Sequence, residues 1–582
     1  MKISFEIKDK DIAGRIGKLE IENENNSMKK TIETPALMPV YGLNNPILSI
    51  DELKEKFNAK ILMTNAYMLF KTEEKKSKVI EQGIHKFLNF DGIVAVDSGS
   101  YQLMKYGDID ISNAEILKFE EKIGAEIGSF LDIPTLPDAY KRLAEENLLV
   151  TLKRAKEAKE LNLNLIINAA IQGSTFSDLR AKSAREISKN FELNAIGGIV
   201  RLMEEYRFED LVNIIVAVKK NIKAGNVVHA FGLGHPMLFG LAVGLGCDIF
   251  DSAAYALFAR DKRYITNYGT KKISELEYLP CSCPACHNKE PGDLDEHDIA
   301  LHNLYVSYEE IRRVKQAIKE NTLWEYIEMR AISHPSLYKA VKGLKQHRKF
   351  LSEFDPITKR SAFFDFGFDC RTEIYNVKSR AKNIITSLRS EIFKSSADLK
   401  KTENLIKINQ FGNVPGEILD IYPLNVFGIK SNAGDEEKVR AIMQYQFGKD
   451  ADDVLNKFNL IIKRSRKTKR IRWIHDTKTK ELLASVRASD HFIIPHKMLA
   501  LELHKFFKFP KLRIAINDEA VPFVKEGRNV FAKFVINADK NLRAGDECLV
   551  VDKDDNLIAT GTLMLAPGEC MSFKRGVAVR VR

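Results

Sequence analysis

The sequence predicts an α/β chain. Its first half reads as a (β/α)8 barrel with a small cysteine-bearing insertion, followed by α+β segments and a terminal all-β barrel. Three observations carry this. Eight short apolar runs alternate with helical stretches through the first 250 or so residues. Acidic and amide side chains recur where those runs end. The last 75 or so residues change to β-branched runs separated by Gly, Asn and Asp turns, as small all-β barrels do.

The chain has 582 residues, too many for one core, so several domains are expected. It starts MKISFEIKDKDIAGRIGKLEIE, which alternates charged and apolar residues and lacks the apolar stretch of a leader. No apolar run reaches the roughly 18–20 residues that span a bilayer, so a cytoplasmic location is the expectation.

The eight runs are TPALMPV from Thr34, KILMTNAY from Lys60, GIVAVDSGS from Gly92, GSFLDIPT from Gly128, NLIINAAIQG from Asn164, NAIGGIV from Asn194, NVVHAFGLG from Asn226 and CDIFDSA from Cys247. Each is short and mostly apolar, as strands buried on both faces are. Amphipathic helices lie between several of them. One starts at Ser112, where Ser112 and Glu115 have capping-box spacing, and another follows Asp138. An open doubly wound sheet would alternate in the same way. The polar residues favour the barrel: Asp97, Asp132, Gln172 and Asp251 end different runs, and in a barrel those ends converge on one face.

Beyond residue 300 the chain is helical and charged to about 355, which predicts a barrel domain over 1–360. Two α+β domains are expected over 361–432 and 433–505, and the β-rich module over 506–582. The segment KRSRKTKRIR from Lys463 has seven basic residues in ten and no acidic one, and Trp473 follows it. Net charge is 90 − 79 = +11, which leans toward a polyanionic partner. A charge run is often only a solvated face; beside an aromatic side chain, contact with phosphates becomes the better reading.

Seven cysteines are too few for a disulfide scaffold, yet Cys281, Cys283 and Cys286 fall within six residues. Tetrahedral zinc needs a fourth ligand, with His287, His297 and His302 as candidates. His287 adjoins Cys286 and closes awkwardly around one ion, whereas His302 can return across a loop. A Cys3His set leaves no open position, so such a zinc would be structural.

Any one strand-end aspartate can simply cap a helix or pair with an arginine. Several on one face suit glycosidic chemistry, with one carboxylate attacking the anomeric carbon and another handling the proton, through a covalent glycosyl ester. Gln172 and the Gly197–Gly198 backbone add groups that could read a purine edge, although two glycines also serve a tight turn. Tyr101 could stack on a base or simply fill the core. The GLGHP segment from Gly232 lacks phosphate-loop spacing and reads as an ordinary turn.

The strings VDSGSYQLMKYG, FLDIPT, IQGSTFSDLR, AIGGIV, FGLGHP, DIFDSAAYALFARDKRY and PCSCPAC with LHNL resemble those of tRNA-guanine transglycosylases, most closely the archaeal, archaeosine-forming branch. The likeness covers essentially the whole chain, and the final segment resembles a PUA domain, an RNA-binding barrel. The resemblance implies that Asp251 is the nucleophile at ribose C1′ and Asp97 the general acid/base. It implies that Asp132, Gln172, Gly197 and Gly198 read the base, with Ser98 and Tyr101 lining the pocket. It implies one zinc on Cys281, Cys283, Cys286 and His302; the Cys-to-His gap is shorter than expected. The partners it implies are the D arm of tRNA, free 7-cyano-7-deazaguanine (preQ0) and a second copy in a homodimer. Of two rivals, a paralogue acting on the inserted base should lack the nucleophile, and a non-catalytic tRNA-binding protein should have lost those aspartates, Gln172 or the IGGI turn. An unrelated barrel glycosidase would not need a terminal RNA-binding module.

Overall fold

The computed structural model describes residues 1–23, 28–100, 111–392 and 405–582. The chain divides into two compact units, Met1–Leu344 and Lys345–Arg582.

The first unit opens with an antiparallel sheet of β1 (Lys2–Asp11), β2 (Gly14–Asn23) and β3 (Met28–Thr34). The alternation at the start of the chain is thus the period of a half-buried strand, with Ile3 and Phe5 inward. Eight parallel strands follow: β4 (Ala36–Pro39), β5 (Ile61–Asn65), β6 (Ile93–Asp97), β7 (Ile127–Gly128), β8 (Ile166–Ile171), β9 (Leu193–Ile196), β10 (Val227–Ala230) and β11 (Ile249–Ser252). They pair in the order β4-β11-β10-β9-β8-β7-β6-β5. The ring closes where Val40 bridges Met63 in parallel and the Tyr41 N–H donates to the Met63 carbonyl at 2.7 Å. The sheet is therefore a barrel and not an open doubly wound sheet.

Six of the eight runs contain their strand whole, and the run from Asn194 omits only Leu193 of β9. The run from Gly128 differs. β7 is only two residues long and precedes most of that run. Side chains take the backbone donors a longer ladder would have used. The Ser129 N–H bonds to Glu120 Oε2, Leu131 to Asn113 Oδ1, Asp132 to Ser100 Oγ and Ile133 to Thr151 Oγ1, all at 2.9–3.0 Å. The irregular backbone is hydrogen-bonded at these positions, as buried chain must be. It also aims Asp132 out of the pleated alternation.

The capping box at Ser112 is formed and starts the helix Asn113–Lys122. At the amino ends of the strands, Arg15 on β2 makes a two-pronged bond to Asp248, with Nε and Nη2 each 2.7 Å from a carboxylate oxygen. Its Nη1 also donates to the Ala224 carbonyl at 2.7 Å, and Asp248 receives the Val228 N–H at 2.8 Å. Both side chains are essentially inaccessible to water. The N-terminal sheet is thereby fastened to the start of the strand that carries Asp251.

The second unit holds the helices Arg348–Phe354, Thr372–Ile392 and Asp435–Phe447, the first packed on the second. Its antiparallel sheet comprises Leu460–Arg464, Ile471–Asp476, Leu482–Val486 and Ile493–Pro495. A six-stranded sheet between Arg513 and Val581 ends the chain. That sheet is tied to the rest of its unit by Arg380, which bonds Asp546 through both terminal nitrogens at 2.8 and 2.7 Å. The run KRSRKTKRIR forms the tip of the hairpin between Leu460–Arg464 and Ile471–Asp476. Among the described residues, no helix is long and apolar enough to cross a membrane.

Removing one partner of a buried ion pair strands the other's charge, at a cost of about 3–5 kcal/mol. Arg15→Ala is expected to lower the stability of the barrel unit by that amount. Urea unfolding followed by barrel-specific hydrogen exchange measures it, and Arg15→Lys should recover only part, since lysine cannot make the two-pronged bond.

Candidate active site and metal centre

A cavity of about 940 Å³ lies at the carboxyl ends of the barrel strands. Asp97, Asp132, Gln172 and Asp251 all line it, although they come from β6, the segment after β7, the end of β8, and β11. Gly198, Ser100, Asn65 and Phe231 share the wall.

Asp97 ends β6 opposite Asn65 of β5. Its Oδ2 accepts from Asn65 Nδ2 at 3.0 Å, and Oδ1 accepts a longer bond of 3.4 Å from the Gly99 N–H. Burial, reinforced by the negative charges of Asp132 and Asp251, pushes its pKa up to about 7. The two hydrogen bonds act in the opposite direction and are outweighed.

Asp251 is 7% exposed and held from one side. Its Oδ1 accepts from His229 Nε2 at 2.8 Å and from the Gly232 N–H at 2.5 Å. Its Oδ2 accepts no hydrogen bond among the described residues. Among the described residues, Asp251 thus presents an unbonded oxygen to the cavity that Asp97 also lines.

Asp132 receives a bond from Gln172 Nε2, and burial raises its pKa. Gln172 Oε1 is buried and has no hydrogen-bond partner among the described residues. The glycines are required here. A Cβ at Gly197 would sit 2.4 Å from Gln172 Nε2, and Gly198 has a φ of +68° with Gln172 Oε1 2.8 Å from where its Cβ would be. Ser98 lies behind the wall: its Oγ donates to the Phe130 carbonyl at 3.1 Å and lies 3.2 Å from Ser100 Oγ, and Ser100 is the serine that reaches the cavity. Tyr101 lies outside the described residues.

Sequence reasoning missed four residues. Asn65 stands at the same strand-end position as Asp97, so the rule that found the aspartates applied to it. His229 and Asn168 are inward residues within strands and carry no strand-end signal. Arg180, wholly buried, donates to the carbonyls of Ile171 and Gly197 at 2.6 and 2.8 Å and so braces the Gln172–Gly197 pair. Nothing in an amphipathic helical pattern marks such a residue.

Cys281, Cys283, Cys286 and His302 come together, with their donor atoms all within 4.8 Å of one another. His302 Nδ1 lies 3.2 Å from Cys286 Sγ and 3.5 Å from Cys283 Sγ. Its Nε2 bonds the Ile265 carbonyl at 2.9 Å, which leaves Nδ1 with its lone pair facing the sulfurs. Tyr264 stacks on the same ring at 3.5 Å between centroids. This donor set and geometry fit a tetrahedral metal ion. His302 belongs to the helix Glu296–Glu320, which packs on the helix Ala254–Arg260 that follows Asp251 directly. Among the alternatives, His297 instead bonds Glu52 at 2.9 Å.

A family model described as Queuine tRNA-ribosyltransferase matches residues 10–336, the whole barrel with its metal module. The fold and cavity are therefore those of a base-exchanging ribosyl transferase. Two further models match the second unit: the patch-forming domain C2 of tRNA-guanine transglycosylase over 437–510 and the PUA domain over 512–582. Proteins named tRNA-guanine(15) transglycosylase are similar over their full length. That of Thermococcus onnurineus is 44% identical, covering 100% of this chain and 99% of its own. Those of Pyrococcus abyssi and Methanocaldococcus jannaschii are 44% and 40% identical with 98–99% of their lengths covered. The chain belongs to the tRNA-guanine transglycosylase family.

Asp97 also makes a stability prediction. Its folded pKa of about 7 lies above the ordinary value of 3.8, so the native state holds a proton that the unfolded chain releases. Its burial is therefore tolerated below about pH 4 and becomes progressively destabilising as pH rises to 7, by at most about 4 kcal/mol. Asp97→Asn is expected to melt higher than the parent protein at pH 8, with the gap closing toward pH 4.5; thermal unfolding at the two pH values checks this.

Proposed function

We propose that the protein exchanges a guanine in the D arm of tRNA, at position 15 as in its relatives' name, for 7-cyano-7-deazaguanine through a covalent aspartyl-ribosyl intermediate. The observation that carries this is the asymmetry of Asp251 and Asp97 within one cavity: one carboxylate presents an oxygen without a partner among the described residues, and burial pushes the pKa of the other up to about 7. Asp251 attacks C1′ while the C1′–N9 bond breaks, and the protonated Asp97 supplies a proton to the departing guanine. Asp97, now anionic, takes the N9 proton of the incoming base, which attacks C1′ and frees Asp251. Two inversions retain configuration. A group with a pKa near the working pH serves both proton transfers. One N-glycosidic bond replaces another, so no external energy source is required.

Asp132, Gln172 and Gly198 would read the purine edge, Asp132 and the open Gln172 Oε1 accepting from its N–H groups. Phe231 offers an apolar face, Ser100 lines the pocket with Ser98 bonded behind it, and Tyr101 keeps the lining role the resemblance implies. The Cys281, Cys283, Cys286 and His302 cluster is read as a structural zinc site that ties the cysteine loop to the helix Glu296–Glu320, which His302 Nε2 in turn bonds to the strand β12 (Arg263–Thr266). We read the chain as four domains with boundaries near 360, 432 and 505, as a homodimer, and as cytoplasmic.

Exposing a base from folded tRNA costs a few kcal/mol, which binding to phosphates must offset. The hairpin tip suits that task. Lys463 pairs across the strands with Trp473, which is 41% exposed, so cations and a stacking surface lie side by side. Truncation is a poor test of the C-terminal module, because deleting Asp546 would leave Arg380 buried without its carboxylate. Point substitutions at the hairpin are better.

Asp251→Ala is expected to reduce incorporation of labelled guanine into tRNA roughly 10³-fold or more while tRNA still binds; near-normal exchange would end the nucleophile assignment. Arg466→Ala with Lys467→Ala should weaken tRNA binding and flatten the dependence of log affinity on log salt by about 0.7–0.9 for each phosphate that no longer meets a cation. Binding titrations at four salt concentrations measure this, and an unchanged slope removes the hairpin from the RNA surface.

A further inference from the structure

Beneath the cavity, three side chains touch in sequence: Asn168, His229 and Asp251. Asn168 on β8 and His229 on β10 come from alternate barrel strands, the arrangement that builds a layer of inward side chains. Asn168 Nδ2 lies 3.0 Å from His229 Nδ1, and His229 Nε2 lies 2.8 Å from Asp251 Oδ1. The histidine is 1% exposed and the asparagine 3%. The edge of Phe231 closes the imidazole from the side, with ring centroids 4.9 Å apart.

We propose that Asn168 and His229 are positioning residues: Asn168 holds the imidazole as its neutral Nε2–H tautomer, and that proton fixes Asp251 Oδ1 so that Oδ2 makes the attack on the ribose. The inference rests on the reading of Asp251 as nucleophile. An amide N–H donated to Nδ1 occupies that nitrogen's lone pair, which leaves the imidazole's single proton on Nε2, toward the carboxylate. Among the described residues, Asp251 is the one titratable group that bonds the ring. A neutral donor orients the carboxylate without neutralising it, whereas an imidazolium would draw off the negative charge that makes it a nucleophile. The Gly232 N–H, also on Oδ1, completes the clamp, so rotation about the Cβ–Cγ bond would cost two hydrogen bonds. Among the described residues the opposite oxygen has no partner, and the pre-oriented attack geometry is itself a source of rate.

The test is kinetic, with a spectroscopic control on the intact enzyme. His229→Phe keeps a ring and removes the donor. It is expected to lower kcat for guanine exchange about 30–100-fold with KM for tRNA changed less than about threefold. His229→Gln restores a neutral N–H near the Nε2 position and should recover to within about tenfold of the parent. Asn168→Asp places an acceptor against Nδ1, favours the second proton on the ring, and should slow kcat about tenfold or more. In the unsubstituted protein, ¹⁵N-histidine spectra should show the neutral Nε2–H form for His229. A fully active His229→Phe, a His229→Gln as slow as His229→Phe, or a doubly protonated His229 in the parent spectrum would overturn the proposal. Asp251→Asn separates the two readings: if it still exchanges base, the nucleophile assignment has failed and not merely its positioning.

Discussion

The closure of the barrel between its first and second strands is the constraint from which the site follows. The Val40–Met63 bridge and the Tyr41–Met63 hydrogen bond join β4 to β5, and only a closed ring brings β6 and β11 to face each other across one space. In an open sheet with the same sequence order, Asp97 and Asp251 would stand on separate stretches of edge. The Arg15–Asp248 pair at the opposite end secures the strand from below, so that Asp251 is held at both ends of a short β11.

Crowding acidic groups into one cavity is costly, and the three carboxyls meet the cost differently. Asp251 is held by two donors on one oxygen. Asp132 is bonded by Gln172 and lies within the influence of the positively charged Arg154 and Arg180. Asp97 is buried with weaker support, and burial, together with the repulsion of the other two, pushes its pKa up to about 7. Similar side chains are thus given different hydrogen-bonding and electrostatic surroundings, the kind of difference by which acid and base functions are assigned in other enzymes.

The metal cluster and the second unit extend this logic outward. His302 of the Cys–His centre lies on the helix that packs against Ala254–Arg260, just after Asp251, and Asn303 on the same helix accepts the Ile265 N–H at 2.8 Å. A metal ion bound there would rigidify a region that otherwise consists of loops and short 3-10 turns. In the second unit, the arginines divide between structure and surface. Arg380 is consumed by Asp546 and Arg464 by Asp435, while Arg466, Lys467 and Lys469 remain exposed at the hairpin tip.

Read without coordinates, the chain already displays the eight-strand rhythm, the strand-end aspartates, the three cysteines with His302, and the β-rich end, because periodicity and short-range spacing encode all of these. The fourth barrel strand lies ahead of the run that periodicity marks, since the side chains of Glu120, Asn113, Ser100 and Thr151 capture the backbone donors that follow it, and Ser100, not Ser98, reaches the cavity. Folding in three dimensions supplies the rest: Asn168 and His229 stand behind Asp251, Arg180 braces the Gln172–Gly197 pair, and Asp97 keeps its proton near neutrality. The physical reason is the same in each case. Hydrogen-bond geometry and desolvation depend on distances between residues tens to hundreds of positions apart, and no local pattern along the chain records those distances.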